Sequence, residues 1–158
     1  MNKSRVFPIT EDWAHLDASL LSTSLTAEQW WAHPQERRDA MGPCWLGRYA
    51  RVEEGYGDSS LRAEIAAHPN VSPRTLAYLI TFAGFWDDVV EEVVCNPRTP
   101  LKAIRTFLAR AGADSRLAAA ECWRTPDSVL AILAEDGAEE VREAAKTAAS
   151  RRSGSVAA

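Results

Sequence analysis

Residues 93–108 read VVCNPRTPLKAIRTFL, and most of what the sequence says about architecture is in that line. Val93 and Val94 belong to a short apolar helix pattern. Asn96 stands before Pro97, and a residue before proline is pushed out of the α region, so that helix stops there. Thr99-Pro100 then opens a second helix: a threonine at the N-cap accepts a bond from a free backbone N–H, and proline is tolerated at the first helical position. Ile104 and Phe107 follow Pro100 by four and seven residues, with Leu108 beside them. That is one face of a 3.6-residue helix. The residues from Pro97 to Thr99 are too few for an α-turn series and suit a 3₁₀ turn or a bend.

The pattern returns on both sides. Ser72-Pro73 stands before Thr99-Pro100, and Thr125-Pro126 after it, at nearly equal steps when counted from proline to proline. Leu76, Ala77 and Ile80 follow the first proline as Val129, Leu130 and Leu133 follow the third. Gly84, Gly112 and Gly137 close the three helices and are expected to supply a left-handed stop. Asp87, Asp114 and Glu139 come next, where acids suit the start of a following helix. Those following helices are short, over about 61–67, 89–95, 115–121 and 141–148, with Ile65, Ala66, Val93, Val94, Ala119, Ala120, Ala144 and Ala145 inward. Breaks are expected at His68-Pro69 and Asn96-Pro97, and a weaker one at Cys122-Trp123, which lacks proline. Self-similarity at a fixed period predicts an array of helical hairpins.

These residues resemble the variant leucine-rich repeat, whose unit reads roughly V-R-x-A-V-A-x-N-P-x-T-P-x-x-x-L-x-x-L-A-x-D. Asn96, Pro97, Thr99 and Pro100 fit it, as do Val129, Leu130, Leu133, Ala134, Asp136, Val141, Arg142 and Ala144. The resemblance covers positions 61–150. It implies an all-α fold, a short right-handed α-solenoid of alternating α and 3₁₀ helices, and no activity. The chain departs from it in unit length, in Ser72 for threonine, and in His68 and Cys122 for asparagine. Some members carry a cysteine-rich iron–sulfur segment before the repeats; with Cys44 as the sole cysteine there, that feature does not carry over.

Residues 1–60 read as a Trp-rich helical cap or a degenerate unit. Thr10 caps a helix carrying Trp13, Leu16, Leu20 and Leu21; Ser22 to Ser24 break it. Thr26 and Gln29 form a capping-box pattern for a helix with Trp30 and Trp31. His33-Pro34 ends or kinks it; helices over about 35–41 and 44–52 follow, the latter with Trp45, Leu46 and Tyr49 inward. Gly55 to Ser60 is a loop, with Ser60 capping the first array helix. Residues 151–158 are expected to fray as a disordered tail.

The formal charge of −4 disfavours a dedicated nucleic-acid protein. A local basic band nevertheless runs from Arg98 through Lys102, Arg105, Arg110 and Arg116 to Arg124, between acidic runs at 87–92 and 135–140. No stretch of the sequence is apolar for long enough to make a transmembrane helix, and no apolar core follows the basic N-terminus, so no secretory signal is read. Three scattered cysteines argue against a disulfide framework and for a reducing cytoplasm.

No catalytic or metal constellation emerges. His15, His33 and His68 lack metal spacing, Cys95 and Cys122 fall one register apart without further ligands, and Gly55-Tyr56-Gly57 lacks the lysine of a phosphate loop. No cofactor is implied. Three functional readings follow. The first is a cytoplasmic module binding a protein or peptide, through an Arg98/Arg124 ladder with Arg74 nearby and through Trp123. The second is a small enzyme or accessory factor with a pocket for a small aromatic or acidic ligand, lined by Trp30, Trp31, His33 and His68. The third, least favoured, is nucleic-acid binding through the basic band.

Overall fold

The computed structural model describes residues 25–52, 59–81, 83 and 85–155. Among these residues every regular element is an α-helix and none is a strand. Three short helices lead: α1 (Ala27–Ala32), α2 (Gln35–Asp39) and α3 (Pro43–Tyr49). Seven more follow: α4 (Ser59–Ala67), α5 (Pro73–Thr81), α6 (Asp88–Cys95), α7 (Leu101–Arg110), α8 (Ala113–Glu121), α9 (Asp127–Leu133) and α10 (Glu139–Ser155). The expected helix after Thr10, the glycine-rich loop at 55–58 and Gly84 lie outside the described residues.

Helices two apart in the chain lie against each other. α4 packs on α6 and α8 on α10, while α5 packs on α7 and α7 on α9. The buried residues explain this. Leu61, Val89, Ser115 and Val141 are buried at near-equal steps along the chain, and so are Ile65, Val93, Ala119 and Ala145 one turn later. In the other set Leu76, Ile104 and Leu130 are buried, and Leu79, Phe107 and Leu133 beneath them. A fully buried leucine stabilises by about 1.5–3 kcal/mol, and these buried rows lie where helices two apart in the chain meet.

The connections within hairpins are single hydrogen-bonded turns, not 3₁₀ helices. Val71, Thr99 and Thr125 each donate a backbone N–H to the carbonyls of His68, Asn96 and Cys122, at 3.1, 3.0 and 3.1 Å. Val71, and not Ser72, is therefore the counterpart of the two threonines. Counted by these turns, the first hairpin is one residue longer than the prolines indicate.

Several local expectations are corrected for physical reasons. Ser72 does cap α5, its Oγ accepting the Thr75 N–H at 3.1 Å. Thr99 and Thr125 act the other way: their hydroxyls donate back to the carbonyls of Val93 and Ala119 near the preceding helix end, and Pro100 and Pro126 hold the N-cap positions. A buried carbonyl needs a donor, and the hydroxyl supplies it. No described glycine has a positive φ; Gly112 is the N-cap of α8 with φ −64°. The helix ends at Cys122 as it does at Asn96, both in extended backbone, so proline is not needed there. Ser60 lies inside α4 instead of capping it. α10 runs through Ser155, because Arg152 is held by the carbonyls of Thr125 and Trp123 (2.5 and 2.7 Å) and by Asp127 (2.8 Å).

The leading helices dock through Glu64 of α4. It accepts the Trp30 indole N–H at 3.2 Å and pairs with Arg38 at 3.1 Å. The Thr26–Gln29 capping box forms with both of its bonds, and α1 ends at His33. Within this segment Leu46 and Tyr49 are buried, and Trp45 is partly buried with Arg48 over its ring.

Candidate functional site

The register set by the turns rearranges the basic surface. Arg74 and Lys102 each follow the first residue of their helices, and both are exposed; Ser128 is their counterpart on α9. The row of equivalent cations is therefore Arg74 and Lys102. Arg98 and Arg124 are also equivalent, each in its turn, but both reach back to the preceding hairpin. Arg98 donates to the Pro69 carbonyl at 2.7 Å. Arg124 forks onto Glu92 at 2.6 and 2.8 Å and touches Glu91 at 3.5 Å. That hydrogen-bonded pairing raises the Arg124 pKa. The expected ladder thus has its donors engaged inside the molecule.

Of the other cations in the band, Arg116 is paired with a carboxylate, whereas Arg110 bonds only to backbone carbonyls and keeps its charge without an acidic partner among the described residues. Arg116 grips Asp136 at 2.7 and 3.2 Å, and Arg110 donates to the carbonyls of Thr81 (3.0 Å) and Thr106 (3.3 Å). Burial acts to raise the Asp136 pKa, but the Ala138 N–H, Arg116 and Arg142 outweigh it and hold the carboxyl below its usual value. The flanking acidic runs thus supply the partners of two of the band's arginines, Glu92 for Arg124 and Asp136 for Arg116.

The aromatic and imidazole candidates separate. Trp30 is fully buried, edge-on to Tyr49 with ring centroids 5.1 Å apart. Trp31 is 46% exposed, with the Arg38 guanidinium 5.1 Å above its ring. His68 is buried: its Nε2–H donates to the Arg38 carbonyl at 2.9 Å and its Nδ1 accepts the Asn70 N–H at 3.0 Å. His33 shares a 3.1 Å hydrogen bond with the Tyr49 hydroxyl; burial, then Arg37 and Arg38, lower its pKa. A general base needs a partner that polarises it, and among the described residues no carboxylate is hydrogen-bonded to either ring. With Trp30 and His68 closed to solvent, these four side chains do not form an open aromatic wall. Trp123 is 83% exposed at the tip of its turn, beside Arg124 in the chain.

A groove that the sequence did not disclose lies between α5 and α7, with a volume of about 430 Å³. Ala77, Ile80, Pro100 and Ala103 make an apolar floor; Thr81, Lys102, Thr106 and Arg110 form the rim. Lys102 stands at the N-terminal end of α7 and Arg110 at its C-terminal end, about 12 Å apart at 1.5 Å per residue. Arg74 continues the cationic end onto α5. No lining residue is acidic. Small side chains open the groove: Ala77 and Ala103 face it where larger residues would close the gap between stacked helices. Among the described residues no three His, Cys, Asp or Glu side chains cluster as metal ligands, and no helix is long and apolar enough to cross a membrane.

No protein-family model matches the chain, and neither the curated proteins nor the solved structures give a match.

Proposed function

We propose that the chain is a short right-handed solenoid of variant leucine-rich repeats, and that it works as a binding module for an acidic segment of a protein partner. Support for the architecture comes from the buried positions and turn bonds that recur from hairpin to hairpin, and from the motif around Asn96 and Thr99. The binding reading rests on one observation: an apolar groove with a cation at each end and no anion in its lining. Such a groove suits a peptide whose two or three apolar residues lie between acids. Extended chain rises about 3.3 Å per residue, so acids about four residues apart span the distance from Lys102 to Arg110. Apolar contact supplies the affinity and the flanking charges set orientation and on-rate.

The test is fluorescence anisotropy with a short labelled peptide of that pattern and with its lysine-substituted counterpart. The acidic peptide binds, and binding weakens with added salt as exposed charges are screened. Lys102→Glu with Arg110→Glu lowers the affinity at least about tenfold, while helicity by circular dichroism is kept. Equal binding of the acidic and basic peptides, or unchanged affinity in the double reversal, would remove the groove as the site.

A further inference from the structure

We propose that Cys95 and Cys122 are a thiol modification site: they close into a reversible intramolecular disulfide that fastens the end of α6 to the turn between α8 and α9. The placement follows from the register. Cys122 occupies the position that His68 and Asn96 hold in the earlier hairpins. Those two residues each donate to a carbonyl of the segment before, His68 to Arg38 and Asn96 to Ala66. Cys122 has no amide or imidazole to do this; by the same register, in which Asn96 reaches Ala66, it lies against the end of α6, where Cys95 is the last residue.

A second contact ties the same two segments. Arg124, which follows Cys122 in the turn, pairs with Glu91 at 3.5 Å and with Glu92 at 2.6 Å. Glu91 and Cys95 are one helical turn apart on α6 and so share a face of that helix. The turn carrying Cys122 is therefore held on the face of α6 that carries Cys95. Both thiols are half-buried, which leaves them open to a small oxidant, whereas Cys44 is exposed and far from them in sequence.

The oxidant is a low-molecular-weight disulfide such as oxidised glutathione. One protein thiolate attacks it and expels a small thiol; the second protein thiolate attacks the resulting mixed disulfide and expels the other. One S–S bond forms in the protein, one is lost in the oxidant, and the two protons leave with the two small thiols. Burial and the neighbouring thiol push the Cys95 pKa up to about 12, so it stays protonated near neutrality and the reaction is slow there, accelerating as pH rises.

The experiment uses the full chain carrying Cys44→Ser, incubated with glutathione redox buffers and then acid-quenched for intact mass and peptide mapping. The expected product has lost two hydrogens, carries a linked Cys95–Cys122 peptide and no glutathione. Its equilibrium constant is at least about 100-fold larger in the folded chain than in concentrated urea. Oxidation raises the thermal midpoint by about 5–10 °C. Adding Cys95→Ser leaves Cys122 as a glutathione adduct. Should Cys44→Ser fail to fold, the native chain is mapped in the same buffers. Two separate glutathione adducts in the folded protein, or linkage no better than in urea, would overturn the proposal.

Discussion

His68 and Asn96 make the same pair of hydrogen bonds in successive hairpins. The imidazole donates to the Arg38 carbonyl at 2.9 Å and accepts from the Asn70 N–H at 3.0 Å; the carboxamide donates to the Ala66 carbonyl at 2.7 Å and accepts from the Arg98 N–H at 2.9 Å. In both, the acceptor atom closes the local turn and the donor atom reaches the segment before. The neutral Nε2–H tautomer of histidine thus presents the same donor and acceptor as asparagine. His68 thus stands where Asn96 stands one hairpin later, with both ring nitrogens engaged by the backbone.

His68→Asn should therefore stay within about 1 kcal/mol of the parent in urea denaturation, whereas His68→Ala should lose about 2–4 kcal/mol by leaving the Arg38 carbonyl and the Asn70 N–H unpaired. Equal losses in the two variants would show that the ring serves only as packing.

Gly137 has no atom within 4 Å of the place a Cβ would occupy, and its backbone is not left-handed. Gly137→Ala should raise stability by about 0.4–1 kcal/mol, by narrowing the unfolded ensemble. Thermal melts read this directly, and a loss would contradict the conformation given to this loop.

Burial, with Arg37 and Arg38 nearby, gives His33 a folded pKa below its usual value. The unfolded chain then binds the proton more readily. The stability due to neutral His33 is full above about pH 6.5, declines as pH falls from there through the lower folded value, and levels off below it. His33→Gln should flatten that part of the stability–pH curve measured by chemical denaturation. An unchanged slope between about pH 7 and 5 would assign it to another group.

The helices were legible in the sequence because their apolar spacing is local information. Val129, Leu130 and Leu133 need only a 3.6-residue period to be placed on one face, and all three are buried. Register was less legible. Ser72-Pro73 imitates Thr99-Pro100, but the threonine hydroxyl answers a carbonyl of the preceding helix, and that need is tertiary. Reading the imitation as equivalence slips the first hairpin by one residue. The slip hides the pairing of Arg74 with Lys102 behind that of Arg98 with Arg124. Nor could spacing reveal that Arg124 is taken by Glu92 of the hairpin before. The groove was unreadable for the same reason, since its walls come from two helices brought together only by packing. Arg74→Ser with Lys102→Ser removes this exposed row and should weaken acidic-peptide binding while leaving the melting midpoint within about 2 °C.

The row itself can be measured. Spin labels at positions 74 and 128, in a chain whose three native cysteines are serine, sit on the first turns of α5 and α9 with α7 between them. Stacked helices lie about 8–10 Å apart, so pulsed dipolar spectroscopy should give one narrow distance of about 20 Å, and labels at 74 and 102 about half of it. A broad distribution, or a 74–128 separation no longer than that of 74–102, would contradict the ordered stack on which the binding groove depends.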